Sequence, residues 1–167
     1  MFRFIEDICE ADSDVIVCAA NGQGWMGGWL GKYIKMAGVA EALHYKTSGK
    51  IEKLSMQEAK RIQVIPGDVF ITPCEEPLKA KYIFHAVTMK KPGQRSDLQY
   101  ITECIKNIIR LAHKNELRSI TIPLLGCGTG RLNEEDVLKI FQSCFLESGT
   151  LEFIIANPRL AKMNNNQ

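Results

Sequence analysis

Two continuous apolar runs of strand length, Val15-Ile16-Val17-Cys18-Ala19-Ala20 and Ile120-Thr121-Ile122-Pro123-Leu124-Leu125, each open directly into a glycine-rich segment. A strand that is apolar on both faces must be covered on both faces, as in the centre of a sheet packed between helices. Residues 69–72, 82–87 and 153–156 read as further strands, and residues 2–5 as a short first one. Helical patterns lie between them. Ile101, Ile105, Ile108 and Ile109 put one apolar face on residues 97–114, with Asp97 as the cap. Val137, Leu138, Phe141 and Phe145 repeat the pattern after Asn133 and three acids, an N-cap followed by charges that suit the helix dipole. Residues 29–37 and 56–61 are shorter helical candidates. This alternation predicts an α/β fold: a three-layer α/β/α sandwich around a mixed, largely parallel sheet.

The glycine segments are where chemistry is expected. The first, Asn21-Gly22-Gln23-Gly24-Trp25-Met26-Gly27-Gly28-Trp29, follows one buried strand. The second, Gly126-Cys127-Gly128-Thr129-Gly130-Arg131, follows the other. Glycine lets backbone amides approach a ligand without an intervening Cβ, and a glycine loop entering a helix presents free N–H groups to an anion. If the two strands are neighbours, the loops face each other at the carboxyl edge of the sheet and can clasp a diphosphate. Each loop alone is equally consistent with an ordinary tight turn. Neither fits a better-known phosphate code. Met26 falls on the first glycine of a P-loop and Tyr33 on its hydroxyl residue, while Arg131 replaces the last glycine of the dinucleotide fingerprint.

The 167 residues make one domain, with 46% hydrophobic residues for a sizeable core. A formal charge of +2 is too small to mark a nucleic-acid-binding class. Six cysteines without a C-x-x-C pair, and only three histidines, argue against structural zinc and for reduced cysteines in the cytoplasm. Neither a signal peptide nor a membrane helix is expected, and the tail at 163–167 is expected to fray.

Taken in order, these segments resemble the macrodomain family. Glu6-Asp7-Ile8 followed by Asp14-Val15-Ile16-Val17-Cys18-Ala19-Ala20-Asn21 is similar to its opening text. Gly67-Asp68-Val69-Phe70-Ile71-Thr72-Pro73 and Lys81-Tyr82-Ile83-Phe84-His85-Ala86-Val87 resemble its next two strands. The second glycine loop, with Thr88-Met89-Lys90-Lys91-Pro92 and Ser96, is most similar to the branch of terminal ADP-ribose protein glycohydrolase and the antitoxin macrodomains that take ADP-ribose off DNA.

The resemblance implies a domain over residues 1–162 that takes ADP-ribose or an ADP-ribosylated partner. It implies no cofactor, no metal and no membrane, with nucleic acid only as an ADP-ribosylated substrate and a monomer as the working form. It also implies roles. Asp7 and the Ile8 backbone would hold adenine, and Asn21 the distal ribose. Gly27, Gly28 and Trp29 would form one phosphate loop, and Gly126, Cys127, Gly128, Thr129, Gly130 and Arg131 the other. Ordinary turn roles for Asp7 and Asn21 compete with these.

The departures bear on cleavage. Cys18 replaces the family's first Asn, Leu30 an acid of MacroD-type enzymes, Gly130 an acid of the nearer glycohydrolases, and Met89 their lysine. Lys90, one step along, is with Asn21 the candidate for catalysis, and Cys127 lacks a base beside it. Ala156 or Asn157 stands where many members stack an aromatic on adenine, a role that Trp25 or Trp29 would have to assume. Three readings follow: a binder of ADP-ribose, an ADP-ribosyl glycohydrolase acting on protein, nucleic acid or a small conjugate, or a generic nucleotide-binding α/β protein.

Overall fold

The computed structural model describes residues 3–165. Six strands form one mixed sheet: β1 (Arg3–Ile5), β2 (Val15–Asn21), β3 (Val69–Pro73), β4 (Tyr82–Met89), β5 (Ser119–Pro123) and β6 (Glu152–Ala156). Their order is β1-β6-β5-β2-β4-β3, all neighbours parallel except the antiparallel edge pair β3 and β4. The two apolar runs are therefore adjacent central strands, so the condition for facing loops is met.

Alternate residues of β2 supply the two cores. Val15 and Val17 pack beneath α4 (Leu98–Lys114) and α5 (Glu134–Leu146), with Ile101, Ile105, Ile108, Val137 and Phe141. Ile16 and Cys18 face the other way, towards α2 (Val39–Lys46) and α3 (Lys50–Ile62), with Leu43, Ile51 and Met26. That two-sided burial is what the uninterrupted apolar text requires. Asp97 and Asn133 cap α4 and α5 by accepting from Gln99 N at 2.8 Å and Glu135 N at 2.8 Å.

The helical candidates between β2 and β3 come out differently. Residues 29–37 hold only the single turn α1 (Gly28–Gly31), after which residues 32–38 run exposed. The helix of this region is α2, and α3 is longer than residues 56–61 suggest. Glycine at 27, 28 and 31 leaves too few side chains to hold a helix there. At the other end α6 (Pro158–Asn165) continues through residues 163–165, into the segment expected to fray; the last two residues of that segment lie outside the described ones.

The amino edge of the sheet is clamped by Asp14. Its carboxylate accepts from Lys81 Nζ at 2.7 Å, Arg118 N at 2.8 Å and Ser119 N at 3.3 Å. These bonds tie together the starts of β2, β4 and β5 and hold the Asp14 carboxyl below its ordinary value, the Lys81 bond first. The carboxyl edge is left to the loops.

Candidate functional site

A cavity of about 390 Å³ opens at the carboxyl ends of β2, β4 and β5, within the range of small-ligand sites. Its wall is built by Ala19, Ala20 and Asn21 of β2, Thr88 and Met89 of β4, Pro92 and Gly93 beyond it, and the segment after β5. A bulge helps to shape it. Asn21 pairs with Met89 while Ala20 pairs with Val87, so Thr88 is an extra residue, its hydroxyl bonded to Ala20 O at 3.3 Å.

The second glycine loop lies where the sequence puts it. Gly126, Gly128, Thr129 and Gly130 line the cavity. The loop is braced by Arg131 N to Gly128 O at 3.0 Å, Leu132 N to Gly126 O at 3.0 Å, and Ser96 N to Gly130 O at 3.0 Å. The N–H groups of Gly128, Thr129 and Gly130 make no hydrogen bond among the described residues. Open amides on a braced loop suit an anion. Cys127 and Arg131 stand beside the wall rather than on it. Burial, and then Glu134, push the Cys127 thiol up to about 11, which leaves it protonated and a poor nucleophile.

The other wall is not formed by Gly27, Gly28 and Trp29. It is formed by Gly38, Val39, Ala40 and Glu41, the N-terminal turn of α2. Gly38 takes φ 119°, a conformation open to glycine, and the helix has no side-chain cap. The Val39 and Ala40 amides therefore join those of the second loop on the cavity. Most amides of the first glycine segment are already engaged. Glu52, buried on α3, accepts from Met26 N at 2.7 Å and Gly28 N at 2.8 Å, and the His44 ring bonds Gly28 O at 2.8 Å. Trp29 is 73% exposed and Leu30 also points to solvent, so neither reaches the wall.

The remaining expected residues divide in the same way. Asn21 lines the cavity, but its side chain also holds a turn, accepting from Gln23 N at 3.1 Å and Trp25 N at 3.3 Å and donating to Trp25 O at 2.8 Å. Trp25 itself is on the wall. Asp7 caps the 3₁₀ turn Ile8–Glu10 through Cys9 N at 2.8 Å and stands, with buried Ile8, outside the cavity wall. Lys90 is exposed and off the wall, and its carbonyl receives Gly22 N at 3.1 Å. Asn157 caps α6 through Arg159 N and Leu160 N, both at 3.0 Å, while Ala156 is buried in the core.

Two features were out of reach of the sequence. A Cβ on Gly130 would lie 2.5 Å from Gly126 O and 2.8 Å from Ser96 Cβ, so an acid at this place is excluded by packing as well as missing. And Glu41 is the one ionisable side chain on the cavity wall among the described residues. Burial raises its carboxyl above the usual range, outweighing its own backbone N–H and the nearby His44. No group of His, Cys, Asp and Glu among the described residues is arranged to hold a metal, and none of the described helices is long and apolar enough to cross a membrane.

Fold and cavity together are those of a nucleotide-type ligand site at a sheet's carboxyl edge. The Macro domain model matches residues 17–141, and the chain belongs to that family. A Macro domain-containing protein of Listeria monocytogenes is 35% identical over 124 residues, covering 73% of this chain and 65% of that protein. A DNA ADP-ribosyl glycohydrolase of Mycobacterium tuberculosis is 27% identical over 153 residues, covering 91% of this chain but 40% of the relative. Among solved structures, the macrodomain of Mycobacterium tuberculosis DarG superposes with a TM-score of 0.81 at 25% identity, over 95% of this chain and 98% of that one. The chain thus spans less than two thirds of both relatives' length.

Proposed function

We propose that the protein binds ADP-ribose, with the diphosphate seated between the N-terminal turn of α2 and the loop at residues 126–130. The observation that carries this reading is the pair of facing amide sets. Val39 and Ala40 stand on one side and Gly128, Thr129 and Gly130 on the other, all on one cavity wall and none bonded within the chain. Backbone donors fixed before the ligand arrives lose little entropy on binding and suit a diphosphate better than mobile lysines. Asn21 keeps one amide hydrogen for a ribose hydroxyl, and Trp25 offers the aromatic surface that Ala156 and Asn157 lack. Trp29 and the pinned amides of Met26 and Gly28 take no part.

Calorimetric titration with ADP-ribose, AMP and ATP tests this. Binding of ADP-ribose at least tenfold tighter than either nucleotide is expected, because only ADP-ribose places a second ribose beyond a diphosphate. Equal affinities would return the protein to the class of generic nucleotide binders.

One further observation favours an ADP-ribosylated nucleic acid as the physiological partner. Three segments that lead onto the cavity wall, residues 22–38, 89–96 and 124–132, contain Lys32, Lys35, Lys90, Lys91, Arg95 and Arg131 and no acid, with Glu41 following the first of them onto the wall. None of those six makes an ion pair among the described residues, and Trp29 and Tyr33, near Lys32 and Lys35 in the chain, are 73% and 66% exposed. Unpaired cations interleaved with exposed aromatics fit a phosphate backbone with stackable bases. The related glycohydrolase named for DNA supports the same direction.

A further inference from the structure

We infer that Ser96 is a positioning residue for ADP-ribose: its hydroxyl fixes the second glycine loop to the bulge of β4 and so aims the Gly128, Thr129 and Gly130 amides at the diphosphate. This role rests on the ADP-ribose reading and adds to it a residue that lies off the cavity wall.

Ser96 joins two parts of the wall that make no hydrogen bond to each other among the described residues. Its Oγ donates to Thr88 O at 2.6 Å, and its N–H donates to Gly130 O at 3.0 Å. Thr88, the extra residue of the bulge, donates its own hydroxyl to Ala20 O at 3.3 Å. A line of hydrogen bonds thus runs from the end of β2, through the bulge, to the last glycine of the loop. Ala20, Thr88 and Gly130 all line the cavity, and Ser96 stands behind them.

The loop depends on this hold. A Cβ on Gly128 would meet nothing within 4 Å, and Gly128 and Thr129 are exposed, so the tip has no packing of its own. Its direction is set at the base. There Arg131, at φ 58°, holds a left-handed conformation that residues other than glycine adopt rarely, so the bonds around it must keep the turn in place. Packing at the base is close. A Cβ on Gly130 would lie 2.8 Å from Ser96 Cβ, and one on Gly126 would lie 3.3 Å from Ser96 Oγ.

The hydroxyl is what the position needs. Thr88 is fully buried and Ser96 nearly so, and a bond lost between them is not replaced by bulk solvent. A hydrogen bond weakens steeply away from its best geometry, so a loop free to tilt forfeits part of what its three amides offer an anion. It must also be ordered again on binding, at a cost in entropy. The Val39 and Ala40 amides lie on a different element and do not depend on Ser96.

The test compares the full chain with Ser96→Ala, which removes the hydroxyl, and Ser96→Cys, which keeps the volume but replaces it with a weak donor. Hydrogen exchange is followed in the ligand-free protein, and calorimetry and amide chemical shifts during titration with ADP-ribose. Both variants should speed exchange at the Arg131 and Leu132 amides, which brace the loop, by at least about tenfold more than at Ile105 and Val137 in the core. ADP-ribose affinity should fall about tenfold, the scale of one buried hydrogen bond. The ligand-induced shifts of Gly128, Thr129 and Gly130 should shrink, while those of Val39 and Ala40 persist. Wild-type affinity in Ser96→Ala would overturn the inference. So would a Ser96→Cys protein that behaves as wild type, since volume alone would then suffice, or a rise in exchange that is uniform across loop and core. A wild type that fails to bind ADP-ribose would instead overturn the function proposed above, and faster exchange confined to Arg131 and Leu132 would still support Ser96 as the anchor of the loop.

Discussion

A Cβ at Gly130 would lie 2.5 Å from Gly126 O and 2.8 Å from Ser96 Cβ. Read against related glycohydrolases, this glycine is a missing acid. In the fold it is a place where the chain doubles back on Gly126 O and Ser96 Cβ with no room for any side chain. Restoring the acid should therefore do harm. Gly130→Asp is expected to cost about 1–3 kcal/mol in chemical denaturation, the usual penalty of overpacking, and to weaken ADP-ribose binding in calorimetry. A variant as stable as the wild type and newly active would contradict that packing. Glu52 is the complementary case, a buried carboxylate whose partners lie 24 and 26 residues away in sequence. Removing it orphans the amides of Met26 and Gly28. Glu52→Ala should destabilise the protein by about 2–4 kcal/mol and loosen the segment beside Glu41. Denaturant midpoints will show whether it does.

At the scale of elements, what the sequence discloses depends on whether a pattern is periodic or relational. β2 and β5 were legible because burial on both faces leaves an unbroken apolar run, and α4 and α5 because each carries an apolar stripe behind a capping residue. The turn into α2 was not. That helix has eight residues and buries only Leu43 and His44, too little to register as a stripe, while the glycine density upstream drew attention to residues 22–31. Whether a loop's amides are free depends on what a distant helix does, and Glu52 uses those of Met26 and Gly28. The second loop was legible because its own neighbours brace it.

Two elements carry pH predictions. His85 on β4 is fully buried, bonded to Thr72 Oγ1 at 2.8 Å and stacked on Phe70, and burial lowers its pKa to about 3. The unfolded chain binds a proton there below about 6.5, the native state only near 3, so stability should fall as pH drops through that window. The His85 ring resonances should accordingly not titrate between pH 8 and pH 5; a titration near 6.5 would contradict the burial. Asp14 works lower. Its depressed carboxyl contributes fully above the ordinary Asp value of about 3.9 and loses its contribution as pH falls through the lower folded value. Asp14→Asn should cost about 1–2 kcal/mol at neutral pH, a difference that narrows in acid denaturation.

Across the whole molecule, a formal charge of +2 conceals an uneven distribution. Six cations and no acids sit in residues 22–38, 89–96 and 124–132, which lead onto the cavity wall beside Glu41, so the rest of the chain carries an excess of acid. Net charge alone does not register that unevenness. The unevenness predicts a difference in salt response. Affinity for an ADP-ribosylated oligonucleotide should fall steeply between about 50 and 200 mM salt, while affinity for free ADP-ribose, held by neutral amides, should change little. Parallel salt dependences in the two titrations would argue against contact with the nucleic-acid chain.

Two sets of backbone amides, one on α2 and one after β5, are proposed to hold a diphosphate between them. Amide chemical-shift mapping of the labelled protein during titration with ADP-ribose tests it most directly. The largest changes are expected at Val39, Ala40, Gly128, Thr129 and Gly130, with Met26 and Gly28 little affected because Glu52 holds them. Saturable binding that shifts Met26 and Gly28 while leaving Val39, Ala40 and the second loop unchanged would contradict it.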